Sequence, residues 1–76
     1  MINNLKGKDM RKYIHITQAE KEGPLRVSLA TDSIDFIREL KEYNKYAGAE
    51  SAICTRGGSY LVVKETLEEI ETLLSR

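Results

Sequence analysis

The sequence predicts a small α+β domain in which an antiparallel β-sheet of four to five strands is accompanied by one C-terminal helix. Two observations support this fold class. Short segments rich in β-formers alternate between apolar and polar residues, and two of them flank a Gly-Gly pair. The C-terminal segment instead repeats its apolar residues at helical spacing. A chain of 76 residues has room for one domain, which we place at residues 13–76.

The first two strands are predicted at residues 13–18 and 25–29, after a polar arm at residues 1–12. In the first strand Ile14 and Ile16 share one face, and in the second strand apolar residues alternate with Arg and Ser. The arm shows no apolar periodicity, and we expect it to be flexible.

Residues 31–43 permit two interpretations. Ile34, Ile37 and Leu40 recur every three residues among good helix formers, which favours a helix. The alternative is a strand at residues 35–42 that joins the sheet, although apolar and polar residues alternate poorly there.

Gly57 and Gly58 separate the clearest pair of strands, predicted at residues 51–56 and 59–63. A two-residue Gly-Gly loop permits positive φ at both positions, as a type I′ turn requires, and thereby fixes the register. In that register one face of the hairpin carries Ile53, Thr55, Tyr60 and Val62, and the other carries Ala52, Cys54, Leu61 and Val63. Because both faces are largely apolar, we expect both to be covered.

The helix is predicted at residues 66–75. Thr66 and Glu69 have the spacing of a capping box, in which each side chain accepts a hydrogen bond from the backbone N–H of the other residue. The apolar stripe comprises Leu67, Ile70, Leu73 and Leu74. A helix of about 15 Å covers one face of a small sheet but not two.

Composition narrows the class of protein. Twelve basic residues balance twelve acidic ones, which argues against a dedicated nucleic-acid domain, because such domains draw affinity from phosphate neutralisation. The longest purely apolar run is Leu61–Val63 and no signal-peptide pattern is present, so we expect a cytoplasmic protein without a membrane segment. The lone Cys54 fits a reducing compartment.

No residue set points to catalysis, a metal or a cofactor. His15 is interpreted as a polar residue on the solvent-exposed face of an edge strand, and Cys54 as a small, buried apolar residue. The Arg56–Ser59 segment lacks the Lys-Ser/Thr pair and following helix of a phosphate-binding loop. The glutamates around the helix start complement its dipole. We therefore expect a protein that is not an enzyme.

Two groups of residues are candidates for binding a partner. A possible protein-binding surface comprises Tyr43, Lys45, Tyr46, Ile53, Tyr60 and Val62. A possible nucleic-acid contact comprises the basic residues of the arm, Lys6, Lys8, Arg11 and Lys12. Tyrosines beside lysines, as at Tyr43 and Tyr46, also suit stacking on bases.

The order of elements resembles the small FlbD-like family of flagellar and swarming motility proteins. The residues that carry the resemblance are Ile14-His15-Ile16-Thr17, Gly23, Asp32–Ile37, Gly57-Gly58, Val63-Lys64-Glu65-Thr66 and Glu68-Glu69-Ile70. The resemblance implies a strand rather than a helix at residues 35–42, and it implies no catalytic residues. A fainter likeness is to the first half of a LytTR DNA-binding domain, whose basic second half has no counterpart here.

The leading hypothesis is therefore a small, FlbD-like protein-interaction module that self-associates. With one helix over one face of the hairpin and an arm too polar to cover the other, we expect a homodimer to bury the uncovered face. The alternative is a nucleic-acid-associated accessory or regulatory protein that uses the basic arm and the Tyr/Lys loop.

Overall fold

The computed structural model describes residues 11–42, 45 and 48–76. They form one five-stranded antiparallel sheet with a single C-terminal helix, so the predicted α+β class is confirmed. The strands are β1 (Tyr13–Gln18), β2 (Leu25–Ala30), β3 (Ile34–Glu39), β4 (Ser51–Thr55) and β5 (Tyr60–Val63), and the helix is α1 (Leu67–Leu74). Residues 1–10 of the predicted flexible arm lie outside the described residues.

The strand order is β2-β1-β5-β4-β3, which places β2 and β3 at opposite edges of the sheet. Only the short 3₁₀ turn Thr31–Ser33 connects these two strands. Three residues span roughly 10–14 Å at most, so the sheet must curl until its edges approach each other. We call its concave side, against which α1 packs, the inner face, and its convex side the outer face.

The core fills the inner face. Its fully or nearly fully buried members come from β1, β4, β5 and α1 and are Ile14, Ile16, Ile53, Val63 and Ile70. Partly buried side chains of both edge strands, among them Val27, Leu29, Ile34 and Ile37, pack against them. A single helix can therefore close the core because the curled sheet supplies the remaining walls.

The ambiguous middle segment is a strand, as the resemblance implied, and the predicted range 35–42 is shortened to Ile34–Glu39. The register shifts between Ile34 and Phe36 against β4, which marks a β-bulge. The bulge returns Ile34 and Ile37 to the same inner face despite their odd spacing. A bulged strand thus explains the three-residue apolar spacing that also suited a helix.

The β4–β5 hairpin differs from the prediction by one residue in register. Cys54 pairs with Tyr60, and Ile53 pairs with Leu61. The loop has three residues, since the Thr55 amide donates to the Ser59 carbonyl at 3.0 Å, and only Gly58 among its glycines has positive φ, at 95°. The loop is therefore a turn that ends in one residue with positive φ, and it is not a type I′ turn. The predicted register of the hairpin, and the predicted division of its residues between two faces, are wrong.

Arg56 supplies the physical reason for the extra loop residue. Its amide donates to the Ser33 carbonyl at 2.8 Å, and its Nε donates to the Asp32 carbonyl at 2.9 Å. Both bonds hold Arg56 against the 3₁₀ turn instead of in the β4–β5 ladder. The predicted strands 51–56 and 59–63 consequently shorten to β4 and β5, while the predicted 25–29 gains Ala30 in β2.

The predicted capping box is confirmed at the start of α1. Thr66 Oγ1 accepts from the Glu69 amide at 3.1 Å, and Glu69 Oε1 accepts from the Thr66 amide at 2.8 Å. Thr66 and Ser75 are the caps of the helix, which explains why the predicted range 66–75 is one residue longer at each end. Across the part of the chain that the structure describes, no helix is long and apolar enough to cross a bilayer.

Candidate functional site

Three apolar side chains line up across the outer face near the hairpin loop. Phe36 of β3 pairs with Cys54 of β4, and Cys54 pairs with Tyr60 of β5, so the three residues are direct cross-strand neighbours. Phe36 is 48% exposed and Tyr60 is 54% exposed, while Cys54 is half-buried. We call these three residues the outer row.

The other end of the outer face is covered by the chain itself. A second apolar cluster buries Ala19, Leu40, Ala49 and Ala52, with Val62 packed against it. Hydrogen bonds hold the returning segment there, because Leu40 N donates to the Glu50 carbonyl at 3.0 Å and Glu50 N to the Val63 carbonyl at 2.8 Å. Among the described residues, the outer row is thus left uncovered on this face of β3–β5.

The structure separates the predicted protein-binding residues. Tyr60 and Val62 both lie on the outer face of β5, as their alternation in the hairpin requires. Ile53 was predicted on the same face, but the one-residue change in register moves it into the core, where it is 0% exposed. Ile53 is therefore not a surface residue. Tyr43 and Tyr46 lie outside the described residues.

Phe36 is the surface residue that sequence reasoning missed. Regular alternation from Ile34 would put Phe36 on the same face as Ile34, and therefore in the core. The bulge instead turns Phe36 outward beside Cys54. The signal in the sequence was the odd spacing of Ile34 and Ile37, which a regular strand cannot bury on one face.

Lys45 is held by acidic neighbours. Its Nζ lies 2.9 Å from Glu50 Oε1 and 3.7 Å from Glu42 Oε1. The hydrogen bond to Glu50, together with the charges of both carboxylates, raises the pKa of Lys45 above its ordinary value of 10.5. Because both carboxylates stabilise its charge, Lys45 links Glu42 to Glu50 and is not a free cation.

The basic residues of the arm are described only in part. Lys6 and Lys8 lie outside the described residues. Arg11 Nε lies 3.6 Å from Asp32 Oδ2, and Lys12 Nζ donates to the Arg76 carbonyl at 3.5 Å. These two side chains therefore contact different parts of the domain and do not form one cationic patch.

The side chains that could take part in catalysis or bind a metal ion are dispersed over the structure. His15 is exposed on β1, which is second from the edge of the sheet and not the edge strand that was predicted. Cys54 is half-buried in the outer row rather than buried. Within residues 11–42, 45 and 48–76, no group of three or more His, Cys, Asp or Glu side chains could hold a metal ion.

Comparison with known proteins gives no independent guide to function. No protein-family model matches the chain, and no curated protein and no solved structure matches it either. The functional argument therefore depends on the surface of the protein itself.

Proposed function

We propose that this protein is a non-enzymatic, FlbD-like interaction module that self-associates through the outer row. The observation that supports the proposal is the exposure of Phe36 and Tyr60 on either side of Cys54. The helix already covers the inner face, and the described residues provide no second element for this part of the outer face. Contact with a second copy would remove these two half-exposed rings from water, which favours association.

The area of the row predicts a weak dimer. A large aromatic side chain offers about 200 Å², so the two half-exposed rings expose on the order of 100 Å² each. Two copies would then bury about 400 Å² of aromatic surface, against about 1,200–2,000 Å² in a standard stable interface. Surrounding side chains such as Arg38 must supply the rest, and we expect a dissociation constant in the micromolar range or above.

Charge and chemistry agree with this proposal. The formal net charge is zero, so two copies approach each other without net repulsion. The resemblance to FlbD-like proteins supports a binding role, since it implies no catalytic residues. The single, unpaired Cys54 supports a cytoplasmic setting, because thiols persist in a reducing compartment.

Sedimentation equilibrium of the full chain over a wide concentration range tests the proposal. We expect the apparent mass to rise from 8.6 kDa towards twice that value. The variant Phe36→Ser/Tyr60→Ser should remain monomeric. Leu25→Ser is the matched control, because Leu25 is 53% exposed but lies outside the row, and it should associate like the parent. A parent protein that stays monomeric at high micromolar concentration would refute self-association.

The nucleic-acid alternative is examined with the same samples. Titration with DNA and RNA at two salt concentrations should show no binding, whereas phosphate-driven binding would appear at low salt and fall steeply at high salt. Salt-sensitive binding that is lost in Arg11→Ala/Lys12→Ala, with no change in mass, would favour the accessory-protein role instead.

A further inference from the structure

The outer face is thicker on one side of the outer row than on the other. Towards the end of β3 and the start of β4, Leu40 and Ala49 pack with Ala52 and Val62 and add a second layer to the face. In the opposite direction along the strands lies the β4–β5 loop, whose residues 56–59 are exposed. We call the first side the covered end and the second side the loop end.

This uneven thickness limits how two outer rows can meet. Two sheets that pack face to face lie about 10 Å apart with their strands roughly aligned, and most homodimers have two-fold symmetry. A two-fold axis along the strands would bring the covered ends of both copies face to face and hold the rows apart. An axis along the outer row instead places each covered end over the loop end of the other copy. The second arrangement therefore lets the two rows touch over their whole length.

The second arrangement also brings opposite charges together. Asp35 and Arg38 lie on either side of Phe36 in β3, with Asp35 towards the loop end and Arg38 towards the covered end. Rotation about the row exchanges the two directions, so Arg38 of each copy comes to lie near the partner's Asp35. Arg38 is two residues from the row and Asp35 is one, which is a difference of about 3 Å along the strand that an arginine side chain can span. The contact occurs twice in the dimer.

Both side chains are suitably placed for this contact. Arg38 pairs with Ala52 and therefore lies on the outer face, and Asp35 is the extra residue of the bulge, without a partner in β4. Both residues are exposed, and neither belongs to an ion pair with another described residue. Glu39, the acidic neighbour of Arg38 in the strand, points to the opposite face by alternation. The arrangement thus joins an exposed cation to an exposed carboxylate at each contact.

We propose that two copies pack with their outer rows in register and their strands in opposite directions, and that Arg38 of each copy pairs with the partner's Asp35. Phe36 then faces the partner's Phe36, and Tyr60 faces the partner's Tyr60, with Cys54 of both copies at the centre. This inference rests on the proposed self-association and adds the reciprocal charges that select a second copy of this chain in one orientation.

Charge reversals in two separate chains test the orientation. Arg38→Glu alone puts two acids together at both contacts, and Asp35→Lys alone puts two bases together there. Each variant should therefore self-associate about tenfold more weakly than the parent. An equimolar mixture of the two variants has opposite charges at both contacts, and its association should return to within about threefold of the parent. Sedimentation equilibrium of the full chains at low salt measures the parent, each variant and the mixture.

A second pair of variants controls for net charge. Arg38→Glu and Asp35→Lys change the formal net charge from zero by two units in opposite directions, so their mixture also gains a general electrostatic attraction. Arg26→Glu and Glu71→Lys make the same changes at exposed positions of β2 and α1, away from the outer row. Each should associate nearly like the parent. An equal gain on mixing these two controls would assign the effect to net charge and overturn the specific pair.

The outcomes separate this inference from the proposed function. A parent protein that stays monomeric refutes self-association and the orientation with it. A parent that dimerises, while Arg38→Glu and Arg26→Glu associate equally, overturns the orientation alone. A mixture of Arg38→Glu and Asp35→Lys that associates no more strongly than its components does the same. Recovery of association in that mixture supports the orientation and also shows that both variants are folded.

Discussion

The contact between Glu65 and Thr17 should be one of the larger single contributions to stability, because it joins the two halves of the sheet. Only a short ladder connects β1 with β5, and the Glu65 carboxylate adds two hydrogen bonds of 2.9 Å beside it. Hydrogen bonds to charged groups contribute about 1.5–3 kcal/mol each when buried. Since this contact is partly exposed, we take about 1 kcal/mol for each bond and expect Glu65→Ala to cost about 2 kcal/mol.

Thr17→Val should cost about half as much. Valine removes the hydroxyl donor but keeps the backbone amide, so one of the two bonds to Glu65 remains and the expected loss is about 1 kcal/mol. Once Glu65 is replaced, the Thr17 hydroxyl has no acceptor, so removing it as well should cost nothing more. The double variant should therefore lose about 2 kcal/mol of unfolding free energy in total. This is about 1 kcal/mol less than the sum of the two single losses, and that difference is the coupling free energy. Glu71→Ala, on the exposed side of α1, is the control for removing a glutamate.

Urea denaturation of the parent protein and the four variants measures these differences. With a slope of about 1 kcal/mol per molar urea, Glu65→Ala should lower the midpoint by about 2 M. For a domain of this size the melting temperature should fall by roughly 8–16 °C. A midpoint within the error of the Glu71→Ala control would show that the carboxylate does not hold β1, and additive losses in the cycle would show that Glu65 and Thr17 do not interact.

Three further perturbations test the β4–β5 loop, the core and the ion pair between Lys45 and Glu50. Gly58→Ala should cost about 1–2 kcal/mol, because its φ of 95° resists a Cβ atom, whereas Gly57→Ala should cost less than about 0.5 kcal/mol; equal losses on denaturation would contradict the three-residue loop. Ser51→Ala should raise the free energy of unfolding by about 1 kcal/mol, since the buried Ser51 hydroxyl has no hydrogen-bond partner among the described residues, and a loss of stability would show that it has one. The raised pKa of Lys45 means that its pairing stabilises the fold below 10.5 and that this contribution is lost as the pH rises through the higher folded-state value. Glu50→Gln should therefore lower the Lys45 titration midpoint followed by ¹³C NMR, and an unchanged midpoint would show that the pair does not form in solution.

Local signals in the sequence were sufficient for the elements whose boundaries depend on nearby residues. The capping box at Thr66 and Glu69 uses two side chains three positions apart, and it lies where the spacing predicted. Alternation in β1 likewise placed Ile14 and Ile16 on one face, and that face lies in the core. In each case the interactions that decide the structure lie within a few residues of one another, so a pattern in the chain reports them directly.

The hairpin register depended instead on a distant contact. Gly57 and Gly58 permit a type I′ turn, but Arg56 gains two hydrogen bonds to the 3₁₀ turn more than twenty residues earlier, and the loop takes three residues. A change of one residue exchanges the faces of a strand relative to its partner. That single non-local contact is why Ile53 was assigned to the surface when it lies in the core.

The early end of the β1–β5 ladder at Gln18 and Val63 illustrates the same division between local and distant information. The start of α1 at Thr66 ends β5 early, and this was readable from the capping box. That β1, rather than another strand, lies beside β5 is a property of the topology of the whole sheet, which no local pattern encodes. A short β5 next to a longer β1 leaves Tyr13 and His15 without a strand partner on that side among the residues that the structure describes. The β1–β5 ladder therefore ends where a helix signal interrupts a strand beside a longer neighbour, and at that end the Glu65 carboxylate accepts the hydrogen bond of the Thr17 amide.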